Sequence, residues 1–74
     1  MGRNLKDLKP GEKGVIIRIG GEGAVKRRLM DMGVTKGAEV LVRKVAPLGD
    51  PIEVNIRGYE LTFRKAEAES IIVE

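Results

Sequence analysis

Short apolar segments separated by turn-forming residues constrain the fold of this chain more than any other feature. Within the segments, apolar residues alternate with polar ones or form brief runs, and Gly, Pro or Asp stands between them. A period of two is that of a β-strand, whose successive side chains point to opposite faces. A chain of 74 residues can build only one core from such strands. The pattern predicts a mainly β single domain over residues 1–74, a small, partly open barrel.

Five strands are predicted. They cover Lys13 to Ile19, Glu39 to Val45, Ile52 to Ile56 (opened by Pro51), Tyr59 to Arg64, and Ile71 to Val73. In the first strand, the alternation predicts one face with Val15, Ile17 and Ile19, and another with Ile16 and Arg18. In the fourth strand, Tyr59, Leu61 and Phe63 alternate with polar residues. Arg57-Gly58 between the third and fourth strands predicts a tight hairpin.

One longer segment, from Ala24 to Met32, has the spacing of an α-helix. The apolar residues of one face are Val25, Leu29 and Met32, at positions i, i+4 and i+7. Gly33 is a suitable residue to end the helix. Met30 projects about 110° to 160° away from the apolar stripe, since each residue turns the helix by about 100°. Shorter helical turns are predicted at residues 5–8 and 66–69.

The sequence contains no cysteine and no histidine. This excludes disulfides, thiol nucleophiles, and imidazole or thiolate metal ligands. The carboxylates have no convergent spacing: Glu67 and Glu69 are two residues apart and do not face each other on a helical turn, and Asp50, Glu53 and Glu60 are separated by strand and turn positions. We therefore predict no catalytic residue, no metal ligand and no cofactor site, with the carboxylates in solvent.

The glycine-rich segment Gly20-Gly21-Glu22-Gly23 precedes the predicted helix, as phosphate-binding loops do. It also satisfies the four-residue G-x-x-G pattern of KH modules, although a strand precedes it where those modules have a helix. Lys26 stands where the last glycine of the dinucleotide motif would be, and Glu22 would repel a phosphate. We interpret the segment as a flexible connection between strand and helix.

Basic residues number 14 and acidic residues 11, giving a net charge of +3 with both signs interspersed. One Tyr and one Phe cannot form an aromatic platform for several bases, so we do not expect nucleic-acid binding. No apolar run approaches the roughly 20 residues that cross a bilayer, and no signal peptide is evident. A cytoplasmic protein without membrane insertion is predicted.

Two surface features point to a protein partner. The run Lys26-Arg27-Arg28 fans across about 200° of a helix, so it is either a solvated face or a docking point for an acidic surface. A second set falls outside the simplest core pattern, namely Met30, Leu48 and either Leu41 or Ile16. Such residues either form an exposed patch for a partner or fill a second side of the core.

Several strings in this order resemble the ferrous iron transport protein A family, FeoA. They are Arg28-Leu29-Met30-Asp31-Met32-Gly33-Val34, Lys36-Gly37-Ala38, Ala46-Pro47-Leu48-Gly49-Asp50-Pro51, Arg57-Gly58-Tyr59, Leu61, Arg64-Lys65, Ala68 and Ile71-Ile72-Val73. The resemblance implies an SH3-like β-barrel with added helices. It also implies an accessory role in bacterial ferrous iron uptake, exerted on FeoB, a membrane permease with a cytosolic GTP-binding domain. The implied action is protein binding and not catalysis.

If the resemblance holds and FeoB is the partner, we predict that Lys26, Arg27, Met30 and Leu48 contact it. Two alternatives remain open. One is a nucleic-acid-binding barrel, which the pI of 9.5 permits. The other is stimulation of the FeoB GTPase by an arginine finger, Arg27 or Arg28, supplied in trans. Self-association through an apolar edge strand is left open as well.

Overall fold

The computed structural model describes residues 2–21 and 23–74. Within these residues, six strands form: β1 (Arg3–Asn4), β2 (Lys13–Ile19), β3 (Glu39–Val45), β4 (Ile52–Ile56), β5 (Tyr59–Phe63) and β6 (Ile71–Val73). The two α-helices are α1 (Gly23–Asp31) and α2 (Lys65–Glu69), and a 3-10 turn spans Leu5–Asp7. All five predicted strands and the three helical pieces are confirmed, with boundaries that agree within about one residue.

The strands form one antiparallel sheet in the order β1-β6-β2-β3-β4-β5. β2 pairs with β6 on one side and β3 on the other, so the chain's last strand returns beside its first long one. β5 has β4 as its only strand partner among the described residues. The sheet therefore curls around its core without closing, and the predicted mainly β, partly open barrel is confirmed.

Strand β1 is absent from the sequence prediction. Its two residues pair with β6, Arg3 with Val73 and Asn4 with Ile72. Two residues are too few to show a period, so only the position of β6 in the sheet defines this strand.

The predicted faces of β2 are wrong, because the strand contains a β-bulge. Ile16 pairs with Val73 and Arg18 with Ile72, which leaves Ile17 without a partner on β6. Ile16 is fully buried in the core, whereas Val15 is 41% exposed. An extra residue in one strand inverts the alternation beyond it. Side chains before and after the bulge thus cannot belong to one continuous face.

A single cluster of buried side chains connects the sheet to both helices. Its members are Leu5, Leu8, Ile16, Leu29, Val34, Ala38, Val40, Val42, Ile52, Val54, Ile56, Phe63, Ala68, Ile71 and Val73. Ile16 was one of the residues that the sequence assigned to a partner surface or a second core, and it belongs to this core. Tyr59 begins the predicted apolar face of β5 but is 72% exposed, since it lies beside the hairpin turn, away from the buried end at Phe63.

The β4–β5 hairpin has the predicted two-residue turn. Arg57 and Gly58 both have positive φ, 55° and 85°, as a type I′ turn requires. The Gly58 amide donates a hydrogen bond to Asn55 Oδ1 at 3.1 Å, and the Arg57 guanidinium donates one to Thr35 Oγ1 at 3.0 Å. These contacts hold a non-glycine residue in a conformation that side chains disfavour.

An exposed ion pair joins α2 to the 3-10 turn near the N-terminus. Lys6 Nζ lies 2.9 Å from Glu69 Oε2. The hydrogen bond from Lys6, aided by its charge, lowers the pKa of Glu69, and the same contact raises the pKa of Lys6. Both shifts favour the charged pair, but exposure to water limits what it adds to stability.

Candidate functional site

Helix α1 carries three of the four predicted contact residues, and its end is well defined. Gly33 has a φ of 94°, and its amide donates to the carbonyl of Met30 at 3.0 Å. The Val34 amide donates to the carbonyl of Leu29, also at 3.0 Å. These two bonds form a Schellman motif, which satisfies carbonyls at the helix end and turns the chain toward β3. The predicted role of Gly33 is confirmed.

The faces of α1 are those predicted from its spacing. Leu29 is fully buried, and Val25 and Met32 are partly buried against the same core. Met30 is 49% exposed, and Lys26 and Arg27 are exposed beside it. Leu29 thus attaches the inner face of α1 to the core and leaves Lys26, Arg27 and Met30 on its outer face.

A buried carboxylate also fixes α1. Glu67, on α2, is only 7% exposed, and its Oε2 lies 3.0 Å from the Arg28 guanidinium. Its Oε1 accepts a hydrogen bond from the Arg64 amide at 2.9 Å, one half of a capping box at the start of α2. The prediction that all carboxylates are solvated is therefore wrong for Glu67. Its burial depends on Arg28, which is 39 positions away in the sequence.

We expect the Arg28–Glu67 pair to contribute modestly to stability. A double-mutant cycle with Glu67→Gln and Arg28→Met should give a coupling of about 0.5–1 kcal/mol, because the Arg28 side chain is 67% exposed and water screens the pair. Gln can still accept the hydrogen bond from the Arg64 amide, so the cycle measures the charge interaction between Arg28 and Glu67 separately from that hydrogen bond. Urea unfolding of the four proteins measures it, and strictly additive effects would contradict the anchoring role.

Two cavities flank Met30. The first, of about 350 Å³, is lined by Gly23, Lys26, Arg27, Met30 and Asp31. The second, of about 260 Å³, is called here the α1–β2 groove and is lined by Ile17, Arg18 and Ile19 of β2, Lys26 and Met30 of α1, and Thr35 and Lys36 of the turn before β3. Lys26 and Met30 line both cavities. The structure thus brings Lys26, Arg27 and Met30 together, and adds Ile17, Arg18 and Lys36, which the sequence analysis had not selected.

Leu48, the fourth predicted contact residue, does not lie beside Met30. It is 90% exposed in the loop between β3 and β4, at the end of β3 opposite to the one that α1 leads into. The Gly49 amide donates to the carbonyl of Ala46 at 2.7 Å, and Asp50 Oδ1 accepts from the Lys65 amide at 3.0 Å, so the loop is held against the start of α2. Leu48 lines neither of the cavities beside Met30.

The glycine-rich segment before α1 has a structural role. The Gly20 amide donates to the carbonyl of Ser70 at 2.7 Å, so it is not free to bind an anion. Gly21 has a φ of 88°, and a Cβ there would lie 2.9 Å from Ser70 Oγ. Glu22, the residue predicted to repel phosphate, lies outside the described residues. The interpretation as a strand-to-helix connection fits these contacts.

Residues 2–21 and 23–74 contain neither a cluster of metal-binding side chains nor a membrane-spanning helix. No group of three or more Asp or Glu side chains there is arranged to hold a metal ion. No helix in the same part of the chain has the length and apolar character needed to span a bilayer.

Comparison with known proteins identifies the family. Residues 3–74 match the family model of the FeoA domain. The chain belongs to the FeoA family. The resemblance seen in the sequence strings is thereby confirmed. A curated relative from Porphyromonas gingivalis, a fusion of Fe(2+) transport protein A with the Fe(2+) transporter FeoB, is 36% identical over 70 residues. The match covers 95% of this chain but only 8% of that relative's length. The family takes part in ferrous iron transport.

Solved FeoA structures share the fold. The FeoA protein from Chlorobium tepidum is 49% identical, with a TM-score of 0.89 over 97% of this chain and 69% of its own. FeoA from Stenotrophomonas maltophilia, described as an SH3 domain protein and solved with zinc, is 26% identical, with a TM-score of 0.86 over 97% of this chain and 89% of its own. The SH3-like architecture predicted from the resemblance is confirmed by this similarity.

Proposed function

We propose that this protein is a non-catalytic accessory protein of ferrous iron uptake that binds FeoB on the cytosolic side of the membrane. The observation that carries the proposal is the Porphyromonas protein, in which the FeoA and FeoB parts share one polypeptide. Fusion holds two domains at a high effective concentration. Where the two are separate chains, a binding surface must replace the covalent link.

The outer face of α1 is the proposed contact surface. Met30 is a flexible apolar side chain that is half exposed, and such residues adapt well to a partner. Lys26 and Arg27 flank it and make no ion pair with any described residue. Leu48 is proposed as a separate contact, because its loop lies apart from α1.

The test is a pull-down of full-length FeoB in detergent, with and without guanine nucleotide. Replacing Arg27 and Met30 together by Asp should reduce FeoB binding at least about tenfold, since it reverses a charge and removes the apolar contact at one surface. The fold should be unaffected, because both side chains are exposed.

A matched control changes Lys9 and Tyr59 to Asp, which alters one exposed cation and one exposed apolar residue away from α1. This variant should bind FeoB like the wild type. Leu48→Asp, measured alone, tests the second contact. Undiminished binding by the Arg27/Met30 variant would refute the α1 surface, and no binding by the wild-type protein would refute the proposed function.

One specific observation favours a second candidate function, stimulation of the FeoB GTPase. Arg28 is bound to Glu67, whereas Arg27 is exposed and makes no ion pair with the described residues. Of the two arginines predicted for a role in trans, Arg27 is therefore the available one. GTP turnover by the isolated FeoB GTP-binding domain should then rise on addition of this protein and fall back with Arg27→Lys; unchanged turnover would exclude this function.

A further inference from the structure

The β2 bulge places a half-buried apolar side chain, that of Ile17, beside α1. Ile17 has no partner on β6, and it lines both the α1–β2 groove and an adjoining cavity of about 460 Å³ with Gly2, Arg18 and Ile72. A Cβ built at Gly2 would lie 2.5 Å from Ile72 Cγ2 and 3.0 Å from Ile17 Cδ1, so these two isoleucines sit side by side. Bulges often present a side chain beside a functional site.

The two cavities share Ile17 and Arg18 and together form one depression, called here the β2 trough. Its apolar floor consists of Ile17, Ile19, Met30 and Ile72. It extends across β2 from the middle of β6, at Ile72, to the exposed face of α1. An apolar floor of this kind accepts inserted side chains better than a flat surface does.

The rim of the trough is positively charged. Arg18, Lys26 and Lys36 line it, and no acidic residue does so in the described part of the chain. None of the three cations makes an ion pair with a described residue, so their charges are available to a ligand. Positive charges around a concave apolar surface attract and orient an anionic ligand.

We infer that the β2 trough binds a segment of FeoB in which apolar side chains are flanked by Asp or Glu. This inference rests on the proposed function and specifies the chemistry of the partner segment. The apolar side chains enter between Ile17, Met30 and Ile72, and the carboxylates pair with Arg18, Lys26 and Lys36.

A peptide segment fits this site better than the other anionic macromolecules. The site is concave, whereas binding to a lipid surface favours a protruding or flat basic face. No aromatic residue lines the trough, so bases would have nothing to stack on. Vesicles are nevertheless included in the test as a competing outcome.

The binding experiment uses full-length FeoB in phosphatidylcholine nanodiscs and two pairs of variants. K26E/K36E should weaken binding at least about tenfold, and the wild-type affinity should fall as salt rises. K9E/K44E makes the same change in net charge at exposed lysines outside the trough and should stay within about twofold of the wild type. I17T should weaken binding about fivefold, whereas V15T, on the same strand but outside the trough, should not.

Carbodiimide cross-linking tests the chemistry directly, because it joins a lysine amine to a carboxylate that is already in contact. In the complex with FeoB, mass spectrometry should find Lys26 and Lys36 joined to Asp or Glu residues of one FeoB segment. Links confined to Lys9 or Lys44 would overturn the inference.

The remaining outcomes separate the inference from the proposed function. Wild-type affinity in K26E/K36E and I17T would overturn the trough and leave FeoB as the partner. Equal losses in K26E/K36E and K9E/K44E would mean general charge attraction and would overturn it as well. Comparable binding to phosphatidylglycerol vesicles without FeoB, lost in K26E/K36E, would reassign the trough to lipid headgroups. No binding of wild-type protein to FeoB would refute both proposals.

Discussion

Phe63→Ala is expected to destabilise the protein by about 3–5 kcal/mol. Phe63 is the chain's only phenylalanine and the largest of its fully buried side chains. It lies at the end of β5, opposite Ile52 of β4 and immediately before the turn into α2. Removing the ring leaves a cavity at the point where the hairpin and the second helix meet, and a core this small has few neighbours that can fill it.

The effect of Phe63→Ala is measured by urea unfolding. The slope of the unfolding free energy against urea concentration is followed as well, because it reports the surface exposed on unfolding. A domain of this length has a total stability of about 4–11 kcal/mol at 0.05–0.15 kcal/mol per residue, so the variant should lose roughly a third or more of its free energy of unfolding. Tyr59→Ala, on the same strand but exposed, should cost less than about 1 kcal/mol. A loss below about 2 kcal/mol for Phe63→Ala, at an unchanged slope, would contradict the central role of the ring.

Leu29→Ala is expected to cost about 2–4 kcal/mol and to act chiefly on the position of α1. Leu29 is the only fully buried side chain of that helix among those described, with Val25 and Met32 only partly covered. Without it, the remaining attachments are those two side chains and the Arg28–Glu67 ion pair. The helix should therefore open locally more often than the sheet unfolds.

Hydrogen exchange of backbone amides can distinguish these events. In Leu29→Ala, amides of α1 should lose more protection than those of β3 and β4, and FeoB binding should weaken because the outer face of α1 is no longer held in place. Met30→Ala, one position along and half exposed, should change stability by less than about 0.5 kcal/mol. Uniform loss of protection across the sheet would show that Leu29 supports the whole core and does not act on α1 in particular.

Regular periods allowed much of this structure to be predicted. The alternation in β4 and the i, i+4, i+7 spacing in α1 define which side chains are buried, so the exposure of Met30 follows from helix geometry alone. The family could also be recognised, because its strings are spread over nearly the whole chain. The family strings, however, did not identify the residues that line the site.

The β2 trough could not be predicted from the sequence, because it forms at a β-bulge, where the strict alternation of a strand is interrupted. Ile16-Ile17-Arg18 interrupts strict alternation, and this is the only sequence signal of the bulge. Whether Ile16 or Ile17 is buried depends on which of them pairs with β6, a strand more than 50 residues away. Arg18 and Lys36 become neighbours of Lys26 only when α1 and the turn before β3 pack beside that strand.

The sequence by itself determined the elements, their order, the outward face of α1 and the absence of histidine and cysteine, because these depend on composition and on periods of a few residues. Only the tertiary structure decided that Ile16 belongs to the core, that Glu67 is buried against Arg28, that Leu48 lies apart from α1, and that three cations surround an apolar trough. Each of these depends on contacts between segments far apart in the chain, which strand pairing and helix packing bring together.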